Sequence, residues 1–578
     1  MWSKSASFAR RISPIARWSC QIRAASGSYL HNPGSEPLTY DTIGNVLQQT
    51  VEKYPNRVAV RSLHEGVTLT YEELLKQADS LACALRAQGL VKGDRLGIWS
   101  HNSVSWIVAA VAAARAGLIS VLLNPVYEKN ELSFCIKKTQ LKSLFIGETL
   151  PRRNYYGTLQ QLIPELNGAS PGLLKSKEFP SLTSVIADGN EKFAGTFSYK
   201  SLVTEYQNRS EISEYGKEVK PEDGSIIHLT SGTTGEPKAG LDSHLGVVNN
   251  TYFTGKRNTF HEGHHNICVQ VPLFHALGSI VTILGGMRHG ASLVLSAPTY
   301  NIEANINALF KEKCTAITGT PTMFVDMLTK VRQMGVEVPS HLRVALAAGA
   351  PCSPQLIRDM QKYLNAESVK ALYGMTETTA CVFQSVPGDS IDMVAETVGY
   401  IQDHVEVKVV DETGEMVPFG SSGELVVRGY NNMICYWDEP EKTRQTFYKD
   451  GWLRTGDKFT ISEDGYGRIV GRIKDIIIKG GENIAPKEIE DLLNTHPDII
   501  ESQVVGVSDE RLGEELCVVL KLREGACFSL DDVTKHLTGR LARFKIPKLL
   551  KIIDDFPKTT SGKIQKYRLK ELIESGKL

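Results

Sequence analysis

"VSWIVAAVAAARAGLISVLL" (residues 104–123) admits two readings, and the choice between them sets the fold. Its length matches the roughly 20 residues that cross a bilayer. Arg115, however, would lie near the middle of such a span, where a charged side chain costs about 2.5 to 3.5 kcal/mol, and Gly117 divides the run. An Ala-rich helix feeding the short apolar strand "LISVLL" accounts for the same residues as one buried helix-strand unit. No transmembrane segment is expected.

The same unit recurs outward from there. "YEELLKQADSLACALRAQGL" (71–90) has helical spacing and precedes strand-like "RLGIWS" (95–100). "SLVLSA" (292–297), "CTAITG" (314–319) and "RVALAAG" (343–349) are apolar runs, each followed by helical spacing. This alternation predicts an α/β architecture with largely parallel strands. From about residue 400, "VEVKVVDETGEMVPFGSSGELVVRG" and then "GYGRIVGRIKDIIIKGG" predict a β-rich portion. Beyond it, "PKEIEDLLNTH", "ESQVVGV", "EELCVVLKL" and "LDDVTKHLTGRLARF" predict a separate α+β unit. The expected fold class is α/β: a large N-terminal α/β domain (41–473) with a β-rich portion, and a small C-terminal α+β domain (474–578).

Lys plus Arg equals Asp plus Glu at 65 each in a chain of 578 residues, so no overall basic field recommends nucleic acid as a partner. The ten cysteines run from Cys20 to Cys527 without a C-x-x-C, which predicts reduced thiols. The first thirty residues carry Lys4, Arg10, Arg11, Arg17 and Arg23, seven serines and no carboxylate. That composition predicts a mitochondrial transit peptide, with residues 1–40 as a disordered leader and the matrix as destination.

Three motifs are weighed for chemistry. "HEGHH" (261–265) satisfies the zinc-protease pattern H-E-x-x-H, yet Gly263 lies inside it and the flanks lack helical periodicity, so a polar loop is expected. "GYGRIVG" (465–471) misses the dinucleotide spacing and reads as a turn and a strand. "TSGTTGEPK" (230–238) is a glycine-rich, hydroxyl-lined turn closed by lysine, suited to wrapping an anion. It fails the P-loop pattern, because position 237 is Pro and no Ser or Thr follows Lys238.

With "KALYGMTETT" (370–379), "RTGD" (454–457), "GRIKDIIIKGGENI" (471–484) and "KTTSGKIQK" (558–566) following in fixed order, the chain resembles the adenylate-forming superfamily from about residue 40 to its C-terminus. That superfamily holds acyl-CoA synthetases, aryl-CoA ligases, luciferases and the adenylation domains of peptide synthetases. The resemblance implies that a carboxylate attacks the α-phosphate of ATP, giving acyl-AMP and pyrophosphate, and that CoA thiolate then displaces AMP. It implies ATP, Mg²⁺ and CoA, a fatty acid substrate of medium chain, and a C-terminal domain that moves between the two half-reactions.

Roles carry over residue by residue. Thr230, Ser231, Gly232, Thr233, Thr234, Gly235, Glu236, Pro237 and Lys238 would wrap the β- and γ-phosphates. Glu377 would bind Mg²⁺, and Tyr373, Gly374, Met375 and Thr376, with Gly349, Ala350 and Pro351, would frame adenine and the α-phosphate. Asp457 and Arg472 would hold the ribose, Lys474 would be the hinge, and Lys479, Gly480 and Gly481 would line the pantetheine tunnel. His275 would border the acyl pocket, and Lys563 would reach the reacting carboxylate and α-phosphate. The resemblance leaves the oligomeric state open.

One departure stands out. Family members usually read P-K-G, a small residue and then L-S-H; here "PKAGLDSH" puts Ala239 for the glycine and adds Asp242. If these disable ATP use, the reading becomes an acyl-adenylate or acyl-CoA binding protein. An aryl or branched-acid CoA ligase is the other alternative, since pocket side chains alone would specify it.

Overall fold

The computed structural model describes residues 27–578 except 231–236, 339–340, 449, 481 and 560–561. The transit-peptide reading of the first 26 residues lies outside the described residues.

The opening stretch folds as a helix, Val104–Arg115, and a strand, Ile119–Leu123. Ser103 starts the helix by accepting a hydrogen bond from the Trp106 N–H, satisfying one of the free donors of the first turn. All five residues of the strand are buried, as a strand covered on both faces requires. Arg115 forms a two-pronged pair with Asp79 of the preceding helix, Tyr71–Ala87, at 2.6 and 2.9 Å. The charge that excluded a membrane span thus ties two helices together. Among the described residues, no helix is long and apolar enough to cross a membrane.

Two sheets of eight and nine strands form the large body. One core unites Leu96, Ile98 and Leu122 of the first sheet with Val269, Leu293 and Leu346 of the second, with helices Tyr71–Ala87 and Val104–Arg115 contributing between them. In the second sheet Ala316–Gly319, Val344–Ala348 and Ser368–Tyr373 are parallel neighbours. Their carboxyl ends therefore open side by side, the usual place for a ligand crevice in an α/β sheet. A third, five-stranded sheet includes Val405–Val410, Gly423–Gly429, Leu453–Ile461 and Gly467–Arg472.

The expected 40-residue leader is too long: Tyr29–Asn32 already pairs with residues 405–408 as an edge strand of that third sheet. "LDDVTKHLTGRLARF" also yields a shorter helix than its spacing predicts. It stops at Leu537 because Thr538 is extended and Gly539 turns left-handed, φ 78°.

In the C-terminal body, the long strands Ile499–Asp509 and Gly513–Leu522 pair antiparallel. Helices Pro486–Leu493 and Leu530–Leu537 pack into one core there and Lys566–Glu574 into another. This body sits against the large one at several points. Lys487 donates to the Cys352 carbonyl at 3.3 Å, and Gly562 is close enough to Thr320 that a side chain there would lie 3.1 Å from its hydroxyl. Asp326, on helix Pro321–Met334, faces Glu501, with Lys521, Lys558 and Asp555 around the pair.

Candidate active site

The three adjacent carboxyl ends carry the motif loops. After Gly319 comes Thr320, which caps the next helix. After Ala348 comes Gly349, left-handed at φ 86°, whose missing side chain faces Leu277 and Thr320. Ala350 and Pro351 continue that loop toward solvent. After Tyr373 comes Gly374, where a Cβ would fall 2.0 Å from the Ala380 carbonyl oxygen, so only glycine lets the turn fold back. Met375 packs with Met433 and Tyr436, and Thr376–Thr378 forms a single 3₁₀ turn.

That turn places Glu377 in a buried position, where the Tyr436 hydroxyl donates to Oε1 at 2.6 Å and the Met433 N–H to its carbonyl at 2.9 Å. Tyr436 also lies 5.2 Å beneath the Lys238 ammonium. Thr230 and Lys238 face each other at the mouth of a hairpin whose turn residues Ser231 to Glu236 are outside the described residues, as is Gly481. Pro237 leads into the second hairpin strand.

Asp457 and Arg472 are cross-strand partners, 3.2 Å apart from Oδ1 to Nε, and the Tyr373 hydroxyl donates to the other carboxylate oxygen at 2.7 Å. Burial pushes the Asp457 carboxyl above its ordinary value, against the pull of Arg472 and Tyr373. Lys563, on the C-terminal body, enters the same neighbourhood. Its hold on a proton is weakened by the surrounding protein and then by Arg472, while Glu377 and Asp457 act the other way. Its residue surface is nonetheless exposed to solvent. His275 senses it too: burial, and secondly Lys563, bring the imidazole down to about 3, so it is neutral at physiological pH.

Lys563, Glu377, Asp457, Arg472 and His275 therefore share one electrostatic neighbourhood. Lys474 stands in the short turn Ile473–Asp475 that leaves the third sheet. Lys479 is committed elsewhere: it pairs with Glu515 at 2.5 Å, both buried in the C-terminal body, with Gly480 in a left-handed turn beside it. The H-E-x-x-H stretch is a loop in which His265 bonds to Thr259 and Thr315, and no three metal-ligating side chains cluster among the described residues.

The two departures lie on the strand that follows Pro237. Ala239 is fully buried beside Leu229 and Leu241 in an apolar core. Asp242, on the other face of the strand, accepts from His228 Nδ1 at 3.0 Å and from the Thr379 hydroxyl at 3.1 Å. Burial raises its carboxyl above the ordinary range. Tyr436 and His228 belong to no motif, and only their contacts reveal them.

The family of AMP-binding enzymes matches residues 47–437, and its C-terminal domain matches residues 488–563. The chain belongs to the AMP-binding enzyme family. It is 40% identical over 560 residues to "Medium-chain acyl-CoA ligase ACSF2, mitochondrial" of Danio rerio, covering 96% of this chain and 92% of that one. The anthranilate CoA ligase AuaEII in complex with anthranoyl-AMP shares the fold at a TM-score of 0.81 and 22% identity, over 94% of this chain and 99% of that one. ATP-bound MatB from Rhodopseudomonas palustris overlays at 0.78 with 27% identity, over 92% and 99%, whereas apo MatB overlays at 0.70.

Proposed function

We propose that this acyl-CoA ligase activates medium-chain fatty acids in mitochondria, in the matrix. The chain is an AMP-forming acyl-CoA synthetase. The observation that carries the residue assignment is the arrival of Lys563, from the C-terminal body, among Glu377, Asp457, Arg472 and His275 of the large one.

In the first half-reaction the fatty acid carboxylate forms a bond to the α-phosphorus and the bond to pyrophosphate breaks. Negative charge grows on the α-phosphoryl oxygens, and Lys563 is the donor aimed at it. Asp457 accepts from the ribose hydroxyls, with Arg472 and Tyr373 fixing its carboxylate. Thr230 and Lys238 hold the ends of the phosphate turn. Mg²⁺ fits this donor set as an ion that arrives with the triphosphate, because Mg²⁺ binds through one or two carboxylates plus substrate phosphates rather than an all-protein cage. Glu377 supplies such a carboxylate, with Tyr436 holding only one of its oxygens among the described residues. When bound, the ion neutralises phosphate charge.

In the second half-reaction CoA thiolate attacks the acyl carbonyl and AMP leaves. Rotation about Lys474 removes Lys563 and brings the segment of Lys479, Gly480 and Gly481 toward pantetheine. For the acyl tail, the helix that begins beyond His275 leads to a narrow apolar cavity lined by Trp106, Ile107, Ala110, Val111, Ile283 and Leu284. The relative named for medium-chain acids supports that length. Ala239 lies in an apolar core and Asp242 is held by His228 and Thr379, which favours the ligase over a weakened binding protein.

The test is pyrophosphate release by residues 27–578 with MgATP and CoA, across straight-chain acids from acetate to palmitate plus benzoate and cinnamate. A maximum in the middle of the series, with acyl-CoA formed, is expected. A maximum with benzoate or cinnamate overturns the fatty acid assignment, and ATP binding without release overturns the ligase.

A further inference from the structure

Asp242, one of the two departures from the family pattern, is completely buried. A buried carboxylate survives only where its oxygens are met. His228 meets one and Thr379 the other. The far nitrogen of His228 lies 2.9 Å from the Ser279 hydroxyl, and Ser279 donates to the His275 carbonyl at 3.0 Å. One chain of contacts thus runs from the turn of Glu377, through the phosphate hairpin, to the first turn of the helix that follows His275.

The end held by Thr379 is under strain. Thr379 and Ala380 have φ of 47° and 79°, in the left-handed region that non-glycine residues seldom enter. Thr is β-branched, which makes its conformation the more unusual. Its hydroxyl is anchored by Asp242, two residues after Glu377. Asp242 and His228 are both buried, one on each of the two paired strands of the hairpin.

We propose that Asp242 and His228 are positioning residues: a buried polar strut that pins the strained Thr379–Ala380 turn to the phosphate hairpin and so fixes Glu377 toward the metal–nucleotide. This rests on the assignment of Glu377 to the metal. Outer-shell partners of metal ligands are commonly worth 10- to 100-fold in metal affinity.

The experiment compares Asp242→Asn, Asp242→Leu and the double variant Asp242→Leu/His228→Leu with the wild type, with Glu377→Gln as reference. Four quantities are read: binding of Mn²⁺·ATP by calorimetry, binding of metal-free ATP, thioester formation from supplied acyl-AMP, and melting temperature. Asp242→Leu should weaken Mn²⁺·ATP at least about tenfold, with metal-free ATP binding and the thioester step within about twofold of wild type. Asp242→Asn, whose amide oxygen still accepts from Thr379, should recover much of the loss. Replacing both members by apolar groups should restore the melting temperature without restoring metal affinity. Unchanged Mn²⁺·ATP binding in Asp242→Leu, beside a weakened Glu377→Gln, overturns the strut alone. Equal loss in metal-bound and metal-free binding also overturns it. If Glu377→Gln leaves Mn²⁺·ATP binding unchanged, the assignment of Glu377 falls and the proposal with it.

Discussion

Raising the pH from about 6 to about 8 should loosen the seat of the C-terminal body on the large one, and Glu501 sets the size of the effect. Burial lifts its carboxyl from 4.5 to about 7, with Lys558 and Lys521 opposing and Asp326 and Asp555 reinforcing. Both lysines are held by Asp555, at 3.0 and 3.1 Å, and among the described residues no side-chain hydrogen bond reaches the Glu501 carboxyl. A carboxyl that ionises near 7 when docked and near 4.5 when hydrated binds its proton more tightly in the docked state. Docking it therefore costs nothing below about pH 4.5, costs more as pH climbs through the interval, and reaches a plateau above about 7. Between about pH 6 and 8 the added cost is about 1.4 kcal/mol, or about tenfold in the docking equilibrium. That is a ceiling, since separation need not hydrate Glu501 completely. Energy transfer between a dye on the exposed Cys527 and one on a cysteine introduced in the large body measures the equilibrium. Glu501→Gln should flatten the pH slope and favour docking above about pH 7. An unaltered slope in Glu501→Gln refutes the reasoning.

Three further outcomes are expected. Lys563→Ala should slow acyl-AMP formation at least about 10²-fold, read as pyrophosphate release, while thioester formation from supplied acyl-AMP suffers much less; equal loss in both steps would contradict its role. Arg115→Ala should destabilise the large body by about 3 kcal/mol in urea unfolding, because Asp79, whose carboxyl burial already raises, is left without its partner; Arg115→Met with Asp79→Leu should recover most of that. Ala110→Phe should shift the preferred acid toward shorter chains in the pyrophosphate assay, and an unchanged profile would place the acyl tail elsewhere than this cavity.

What could be read from sequence was what repeats locally or has a fixed order. Helix Val104–Arg115 and strand Ile119–Leu123 follow from apolar run length and one glycine. The strand that leads to Gly349 followed from a short apolar run before a helix, whereas Ser368–Tyr373, which leads to Gly374, could be read only as part of a motif. Roles such as those of Glu377 and Asp457 came from motif order, since an isolated carboxylate is usually only solvated. Pairings between distant positions had no local signature. Asp326 and Glu501 belong to different bodies, and nothing in either segment announces the other. Asp242 was misleading for a physical reason: strand alternation decides which face receives its charge, and the register with His228 and the turn at Thr379 was invisible. The early stop at Leu537 came from a tertiary choice at Thr538, whose neighbours retained helical spacing.

The strand Tyr29–Asn32 is synthesised first and used late. Its partner in the third sheet lies about 370 residues further along the chain. A nascent or translocating chain cannot close that sheet until most of its length has emerged, so the order of emergence and the order of closure run opposite ways. Proteolytic trimming at the amino end therefore has a sharp boundary. A cut before Gly27 spares the strand and the bonds that tie Ser28 to Val409 and Val417, whereas a cut beyond Asn32 strips the outer edge from Val405–Val410 and leaves its backbone groups open to pairing with another chain.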